Sequence, residues 1–382
     1  MRSPTGKGRL ASLGIGAGLG ALLVAGASAG AEAPEAVSSL AASFPAGNGP
    51  AGVAAGDLNR DGRIDVAVAN RLSDSQGILF NQGGATFGAP DQVLRIGRSP
   101  RELEIADLNG DKRPDIATVA AEEDIVAIRL FTNGGYAVQT NFATNSQPRG
   151  IAVGDLDGDG DRDLVISNRL SDDISLLFNA GDGTFAAPVN IAAGVGPISS
   201  SLDDLDGDGD LDVVVANSDG FSFSVFLNDG DGKLGPDSQY PAGNGPRELA
   251  VEDFDGDGAL DVMVANRYSD DATLMFGDGA GGFANLVSLP AGDRPSGIAS
   301  ADFDRDGDPD VVIANRNSDD ATVYLNDGDG TFAAPVAVSA GDGPESIALG
   351  DFDRDRDVDV VIANLNDDTI SVLVNDGSGN FG

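Results

Sequence analysis

Short apolar runs separated by polar turns recur along the chain from about residue 37 to the end. The runs are four to seven residues long, rich in Val, Ile and Phe, and bounded by clusters of Gly, Asn, Asp and Pro. This is the grammar of strands and tight turns, and no run is long enough for an ordinary helix. The runs follow a fixed order. In one unit, Pro148-Arg149-Gly150-Ile151-Ala152-Val153-Gly154 leads into an acidic stretch from Asp155 to Asp163. Leu164-Val165-Ile166-Ser167 follows, then the polar turn Asn168-Arg169-Leu170-Ser171-Asp172-Asp173. Ile174-Ser175-Leu176-Leu177-Phe178 comes next, then the Gly-rich turn Asn179-Ala180-Gly181-Asp182-Gly183, then Phe185 and a segment from Pro188 to Ala193.

That unit repeats. The pattern Asp-x-Asp/Asn-x-Asp-x-x-x-Asp starts at Asp57, Asp107, Asp155, Asp204, Asp253, Asp302 and Asp351, at steps of 48 to 50 residues. Each unit supplies four strands: A before the acidic loop, B after it, then C and D. Four strands in such a repeat, seven times over, predict an all-β, seven-bladed β-propeller with four antiparallel strands per blade. An open solenoid of β-units is the alternative, and the repeat length suits it less well. The last repeat has A near Ser346–Gly350, B near Val360–Ala363 and C near Ile370–Val374, and reaches Phe381-Gly382 where D is due. The segment from Leu40 to Gly47 matches the register of Gln239-Tyr240-Pro241-Ala242-Gly243, and both run on into Asn-Gly-Pro. An N-terminal strand over Val37–Phe44 is therefore expected to complete the seventh blade and to hide two sheet edges. The propeller is placed at residues 37–382, after a short linker at 30–36.

The N-terminus carries a different pattern. Arg2, Lys7 and Arg9 precede an uncharged stretch from Leu10 to Ala31, with small residues at Ala27-Ser28-Ala29 and at Ala31-Glu32-Ala33. A positive start, a short apolar middle and a small-residue exit predict a secretory signal peptide over residues 1–29, cleaved after Ala29 or Ala33. An uncleaved anchor is the weaker reading, because the Leu-rich part falls short of the ~20 apolar residues of a span. No second apolar span follows, so a secreted chain is expected, extracellular or periplasmic, and a monomer.

Composition narrows the chemistry. The formal net charge is −39, and the chain has no His, Cys or Trp. A field this negative does not attract nucleic acid, which needs Lys and Arg to displace counterions. Without Cys there is no disulfide or zinc–thiolate site, and without His there is no Ser-His-Asp triad or imidazole ligand. A metal must therefore be held by oxygen, which favours Ca²⁺.

The acidic loops offer that oxygen. Positions 1, 3, 5 and 9 carry side-chain oxygens, and position 7 contributes its backbone carbonyl. In chain order these five positions are Asp57, Asn59, Asp61, Arg63 and Asp65 in the first loop, and Asp107, Asn109, Asp111, Arg113 and Asp115 in the second. The third has Asp155, Asp157, Asp159, Asp161 and Asp163, and the fourth Asp204, Asp206, Asp208, Asp210 and Asp212. The fifth has Asp253, Asp255, Asp257, Ala259 and Asp261, and the sixth Asp302, Asp304, Asp306, Asp308 and Asp310. The seventh has Asp351, Asp353, Asp355, Asp357 and Asp359. Short side chains at alternate positions wrap one cation as the first half of an EF-hand loop does, but no Glu stands at position 12 and no helix flanks the loop. An acidic surface turn is the plain alternative, and seven such loops in register weigh against it. Position 6 is Gly in five loops, where a left-handed backbone is needed, and Lys112 and Arg356 in the second and seventh. Loops three, four and six are expected to bind most tightly, then five, then one and seven, with two weakest. Thirty of the 62 acids are Asp at these loop positions, so much of the net charge is a count of ligands.

Gly183-Thr184-Phe185-Ala186-Ala187-Pro188 and Gly330-Thr331-Phe332-Ala333-Ala334-Pro335, together with the acidic loop, resemble FG-GAP/VCBS repeats. Such repeats build the seven-bladed propeller of integrin α subunits and of secreted bacterial proteins. The resemblance covers residues 37–382 and implies Ca²⁺ in the A–B loops at the Asp positions named above. Repeat two departs most, with the shortened turn Thr132-Asn133-Gly134-Gly135-Tyr136 and Lys112 in its loop. The family includes adhesion proteins, lectins and some enzymes.

Strand alternation puts the A–B and C–D loops on one face of the ring and the B–C and D–A loops on the other. The second face repeats Asn70-Arg71, Asn168-Arg169, Asn266-Arg267 and Asn315-Arg316, and carries Arg101, Arg149 and Arg247, each just after a Pro. Two readings stay open: Arg–Asp pairs that stabilise turns, and a ring of polar sites for a protein or glycan ligand. Tyr268, Phe221 and Phe223 are the aromatics expected near this face. A non-catalytic adhesion scaffold is the expected function. A lectin is the alternative, and a Ca²⁺-dependent lyase or hydrolase a weaker one, because no residue stands apart from the repeat as a unique catalyst.

Overall fold

The computed structural model describes residues 36–132 and 135–382. The expected signal segment 1–29 and all but the last residue of the linker 30–36 lie outside the described residues. The described chain contains no helix. Strand A runs over Pro50–Gly56, Pro100–Ala106, Pro148–Gly154, Pro197–Asp203, Pro246–Glu252, Pro295–Ala301 and Pro344–Gly350 in blades one to seven. Strand B runs over Asp65–Asn70, Asp115–Ala120, Asp163–Asn168, Asp212–Asn217, Asp261–Asn266, Asp310–Asn315 and Asp359–Asn364. Strand C begins at Ser75, Ile125, Asp173, Ser222, Asp271, Asp320 and Thr369. Each blade is an antiparallel sheet in the order A-B-C-D. Strand A of each blade packs beside strand A of the next, and that of blade seven packs beside that of blade one, so the A strands line the centre of a closed seven-bladed β-propeller.

The core is divided among the gaps between blades. All six residues of every B strand are buried. They form interfaces on both sides of their sheet, which is why these strands read as continuous apolar runs. The gap between blades seven and one joins Val66, Val68, Leu79 and Phe87 to Phe352, Val361, Ile370 and Val372. Equivalent clusters fill the other six gaps. The second residue of each acidic loop, Leu58, Leu108, Leu156, Leu205, Phe254, Phe303 or Phe352, is buried in such a gap. Each buried apolar side chain of this size contributes roughly 1.5–3 kcal/mol.

Hydrogen bonds staple blade to blade. Asn228, just past strand C of blade four, is 4% exposed. Its Nδ2 donates to the Leu156 carbonyl of blade three at 2.8 Å and to the Leu211 carbonyl of its own blade at 3.1 Å. Asn81, Asn179, Asn326 and Asn375 make the same bridge in blades one, three, six and seven. On the other face, in six of the seven blades the last residue of the B–C turn is an Asp that caps the loop leading into the next blade, and blade four has Phe221 there. Asp172 Oδ1 accepts from the Gly196 N–H at 2.8 Å, and Asp368 of blade seven accepts from the Gly49 N–H at 2.8 Å, which carries the pattern across the closure.

The closing strand differs in detail from the single strand expected over Val37–Phe44. Ala42–Pro45 pairs antiparallel with Thr369–Val372 as strand D of blade seven. Ala36–Leu40 crosses to blade six and lies parallel to its outer strand, Val336–Ser339, as a fifth strand. The edge of blade seven accepts only four residues, from Ala42 opposite Val372 to Pro45 opposite Thr369, and the outer edge of blade six takes the rest.

Two outcomes follow. A chain that starts after Gly47 leaves the edge at Thr369–Leu373 bare, and its thermal midpoint falls well below that of the full chain; an equal midpoint sinks the closure. Asn228→Ala leaves two buried carbonyls without a donor and lowers unfolding free energy by about 2–4 kcal/mol in urea melts.

Candidate functional site: metal loops and channel mouth

The seven acidic loops share one geometry. Position 9, the first residue of strand B, is fully buried in every blade: Asp65, Asp115, Asp163, Asp212, Asp261, Asp310 and Asp359. One oxygen of each accepts the N–H of loop position 2 at 2.8–3.0 Å. The other accepts the N–H of a residue at the far end of strand C at 2.6–2.9 Å. Burial pushes each of these carboxyls up to about 6, against the lowering effect of the N–H donors. At the start of the loop, the position 1 carboxylate accepts the N–H of position 6 at 2.7–3.2 Å. That turn requires a left-handed backbone at position 6, which five glycines adopt freely and Lys112 (φ 62°) and Arg356 (φ 79°) adopt against their Cβ atoms. Position 4 is left-handed too, and there Arg60, Arg305 and Arg354 stand in loops one, six and seven.

In five loops three carboxylate oxygens lie within 4.8 Å of one another. Loops three, four and five bring together positions 1, 3 and 9, as in Asp155, Asp157 and Asp163, and loops six and seven bring together positions 1, 3 and 5. Loops one and two, with Asn59 and Asn109 at position 3, assemble no such acid triad. Burial, and then the carboxylates beside it, raises Asp157 above the ordinary range. Asp155 and Asp157 each keep a buried Oδ1 without a hydrogen-bond partner. All-oxygen donors, converging charge and orphaned carboxylate oxygens fit a hard divalent cation.

The opposite face is built from the same repeat but is not symmetric. Its centre is the mouth of the channel, a cavity of about 230 Å³. Second residues of strand A project into it, and among them are Arg101, Arg149, Arg247 and Glu345. First residues of the B–C turns surround them, among them Arg71, Arg169, Arg267 and Arg316, and Arg294 joins from a D–A loop. Eight of the chain's 23 cationic residues thus line one cavity, with Glu345 as its single acid. Glu345 binds three of them: Arg247 at 2.5 Å, Arg316 at 2.7 Å and Arg267 at 3.7 Å. Burial would raise Glu345, but Arg247, Arg267, Arg316 and Arg101 outweigh it and hold the carboxyl below its usual range. Burial, with the like charges of Arg149, Arg71 and Arg247, pulls Arg101 far below the usual arginine value. Deeper in, the channel narrows to about 50 Å³, lined partly by Glu102 and Glu248. Burial pushes Glu248 up to about 8 and Glu104, in the same carboxylate group, up to about 7.

The predicted ligand-face residues therefore divide. Arg71, Arg101, Arg149, Arg169, Arg247, Arg267, Tyr268 and Arg316 meet at the channel mouth. Asn70, Asn168, Asn266 and Asn315 do not: each is buried, at 0–1% exposure. Asn168 and Asn266 use Nδ2 to bind Ser175 and Thr273 of strand C, because the end of strand B lies inside the sheet. Of the arginines, Arg169 meets a turn aspartate, Asp219 of the next blade, at 3.1 Å. Phe223 is not near the surface; it is fully buried and stacks on Tyr240 with ring centroids 5.3 Å apart. Phe221 is 53% exposed. Sequence reasoning missed Arg294 and Glu345. Aligning the residue after the strand A proline in all seven units exposes Glu345, which stands where blades two, three and five have Arg.

With this geometry in place, the comparisons with known proteins identify the class. The FG-GAP-like repeat family matches residues 57–118, 107–166, 155–215, 204–264, 253–313 and 302–362. The chain belongs to that family. No curated protein sequence matches it. Among solved structures it is similar to BBS1N in complex with ARL6DN, at TM-score 0.62 and 15% identity, over 89% of this chain and 98% of that one. It is also similar to Kuenenia stuttgartiensis hydrazine synthase, at TM-score 0.62 and 15% identity, over 87% and 97% of the two chains. An Agrocybe aegerita lectin that recognises non-reducing terminal N-acetylglucosamine matches at TM-score 0.54 and 19% identity, over 80% and 86%. At these identities the likeness is one of fold.

The raised Glu104 sets a pH dependence. Its folded value of about 7 lies above the usual 4.5, so the folded chain holds the extra proton between those values. The stability this confers is full below about pH 4.5 and is lost as pH rises through 7. Glu104→Gln removes that loss: relative to wild type it gains on the order of 1–3 kcal/mol between pH 5 and pH 8 in chemical melts. A parallel pH profile for the two proteins counts against the assignment.

Proposed function

We propose that this chain is a secreted calcium-binding scaffold that binds an extracellular protein or glycan without catalysis, as a monomer. The division of the ring into two chemically different faces carries this reading. The A–B face repeats one acidic loop with little change. The opposite face varies at equivalent positions and exposes Leu72, Leu170, Val195, Phe221 and Tyr268 on its loops. Exposed apolar side chains around a polar hollow are a common mark of a binding surface. Propellers of similar shape include one solved with a protein partner and one that recognises a sugar, which supports a binding role on this scaffold.

Calcium fits the A–B loops better than magnesium, because many flexible protein oxygens suit a larger ion of six to eight ligands. It supplies the positive charge that lets converging carboxylates coexist, and its role here is structural. The same carboxylates that would be candidates for acid–base work are those of the loops. Export places the chain where calcium is plentiful.

The test of the metal is a thermal melt in calcium against one in chelator. At ~10 mM calcium, a site with Kd of ~10⁻³ M adds about 1.4 kcal/mol, and several such sites raise the midpoint clearly. An unchanged midpoint removes calcium from the proposal. The test of the face is a glycan array and a matrix-protein pull-down, with Phe221→Ser and Tyr268→Ala as variants. Loss of a captured ligand in both variants supports the face, and polysaccharide turnover by the purified chain overturns the non-catalytic reading.

A further inference from the structure

The channel mouth combines strong positive charge with missing counter-ions. Arg247, Arg267 and Arg316 share Glu345, and Arg169 has Asp219. Arg71, Arg101, Arg149 and Arg294 have no carboxylate within ion-pair distance among the described residues; Arg149 donates to Gln147 Oε1 at 3.2 Å and Arg294 lies over the Tyr268 ring at 5.5 Å, contacts that leave their charge without a counter-ion. The Nε atoms of Arg101, Arg149 and Arg294 are buried without a hydrogen-bond partner. Like charges gathered in a concave, partly dry site repel one another more strongly than at an open surface. Such an arrangement is at its most favourable when an anion sits among them. Guanidinium groups present planar forks that match carboxylate, sulfate and phosphate oxygens in pairs.

Shape and field limit what that anion is. The cavity is about 230 Å³ and narrows below to about 50 Å³, so a ligand rests on the mouth and does not thread the ring. Around the mouth lie the exposed Asp219, Asp293, Asp342 and Asp367, on a chain whose net charge is −39. A long polyanion would lie largely on this negative surface, whereas a compact one stays within the positive hollow. We infer that the mouth is a binding site for a compact oxyanionic group carrying two or more charges, held by Arg101 and Arg149 with Arg71 and Arg294 closing around it. This deepens, and rests on, the reading of this face as the binding face. It also assigns a role to the asymmetry of the ring: blades one, two and three, with the loop that enters blade six, supply the cations that no carboxylate neutralises.

The experiment is calorimetric titration of the full chain in calcium at low ionic strength. The probes are trimesate for clustered carboxylates and inorganic sulfate for a single tetrahedral oxyanion. A glutamate decapeptide and a single-stranded oligonucleotide serve as extended polyanions. Trimesate is expected to bind one per chain, more tightly than sulfate, and to raise the melting midpoint. Arg101→Ala and Arg149→Ala are each expected to weaken it at least tenfold, while Lys233→Ala on the opposite face leaves it unchanged. Both arginine variants should melt no lower than wild type in probe-free buffer, since each removes like-charge repulsion; a lower midpoint with unchanged trimesate affinity overturns the inference. So do absence of trimesate binding, equal affinity in the Arg101→Ala/Arg149→Ala double variant, or tighter binding of either extended polyanion. If trimesate fails while array ligands are still lost in Tyr268→Ala, the binding face stands and the oxyanion site falls. If both fail, the face itself falls.

Discussion

A carboxylate buried at the head of every B strand organises this protein. Asp163 and its six equivalents have no exposed surface, yet each fixes the loop on one side and the end of strand C on the other through backbone N–H groups. A buried carboxylate is tolerated only where such donors converge. The acidic loop, the Gly-rich turn and the blade edge are thereby fixed relative to one another before any metal is considered. In loops three to five the same residue also belongs to the triad facing the candidate metal position. The structural role and the candidate metal role thus meet in one side chain, and the chain has Asp at that place in all seven units.

The two faces use the repeat in opposite ways. On the face of the acidic loops, one loop is copied seven times, and in five of the copies three carboxylates converge on a candidate metal position. On the other face the copied feature is backbone capping, as in Asp172 to Gly196 and Asp368 to Gly49, and the side chains beside the caps vary freely. That freedom lets an acidic protein concentrate cations at one spot. A net charge of −39 describes the whole surface poorly, because its largest local departure has the reverse sign. Arg305 of loop six, paired with Asp357 of loop seven, is a cation on the face of the acidic loops and binds neighbouring loops together rather than opening a site.

Much of this was legible in the sequence, for physical reasons. Seven acidic loops in register, β-branched runs and a missing last strand forced a closed ring, because period, strand length and edge burial all pointed the same way. What was not legible depended on side chains meeting across repeats. The Asn-Arg pairs read as one surface motif, but the backbone twist at the end of strand B sends Asn168 inward to Ser175 and Arg169 outward. Asn179 and Asn228 read as ordinary turn residues, although their amides bridge two blades across some 70 positions of chain. The convergence of Arg247, Arg267 and Arg316 on Glu345 was hidden for the same reason: they come from blades five, six and seven and meet only around the axis.

Blade seven also couples distant parts of the chain in time. Phe44 lies opposite Ile370, so a strand made early must wait for partners made far later in the chain. Contacts of such separation form slowly, because a very long loop has to close before they are rewarded. Until they form, blades one to six offer an incomplete cylinder with a raw edge at each side. The same linkage works in reverse once the ring has shut. Opening must peel Ala42–Pro45 from blade seven and Ala36–Leu40 from blade six, which raises the barrier to unfolding more than it raises equilibrium stability. Durability of the closed ring is then a matter of rate, and the clasp at the start of the propeller sets it.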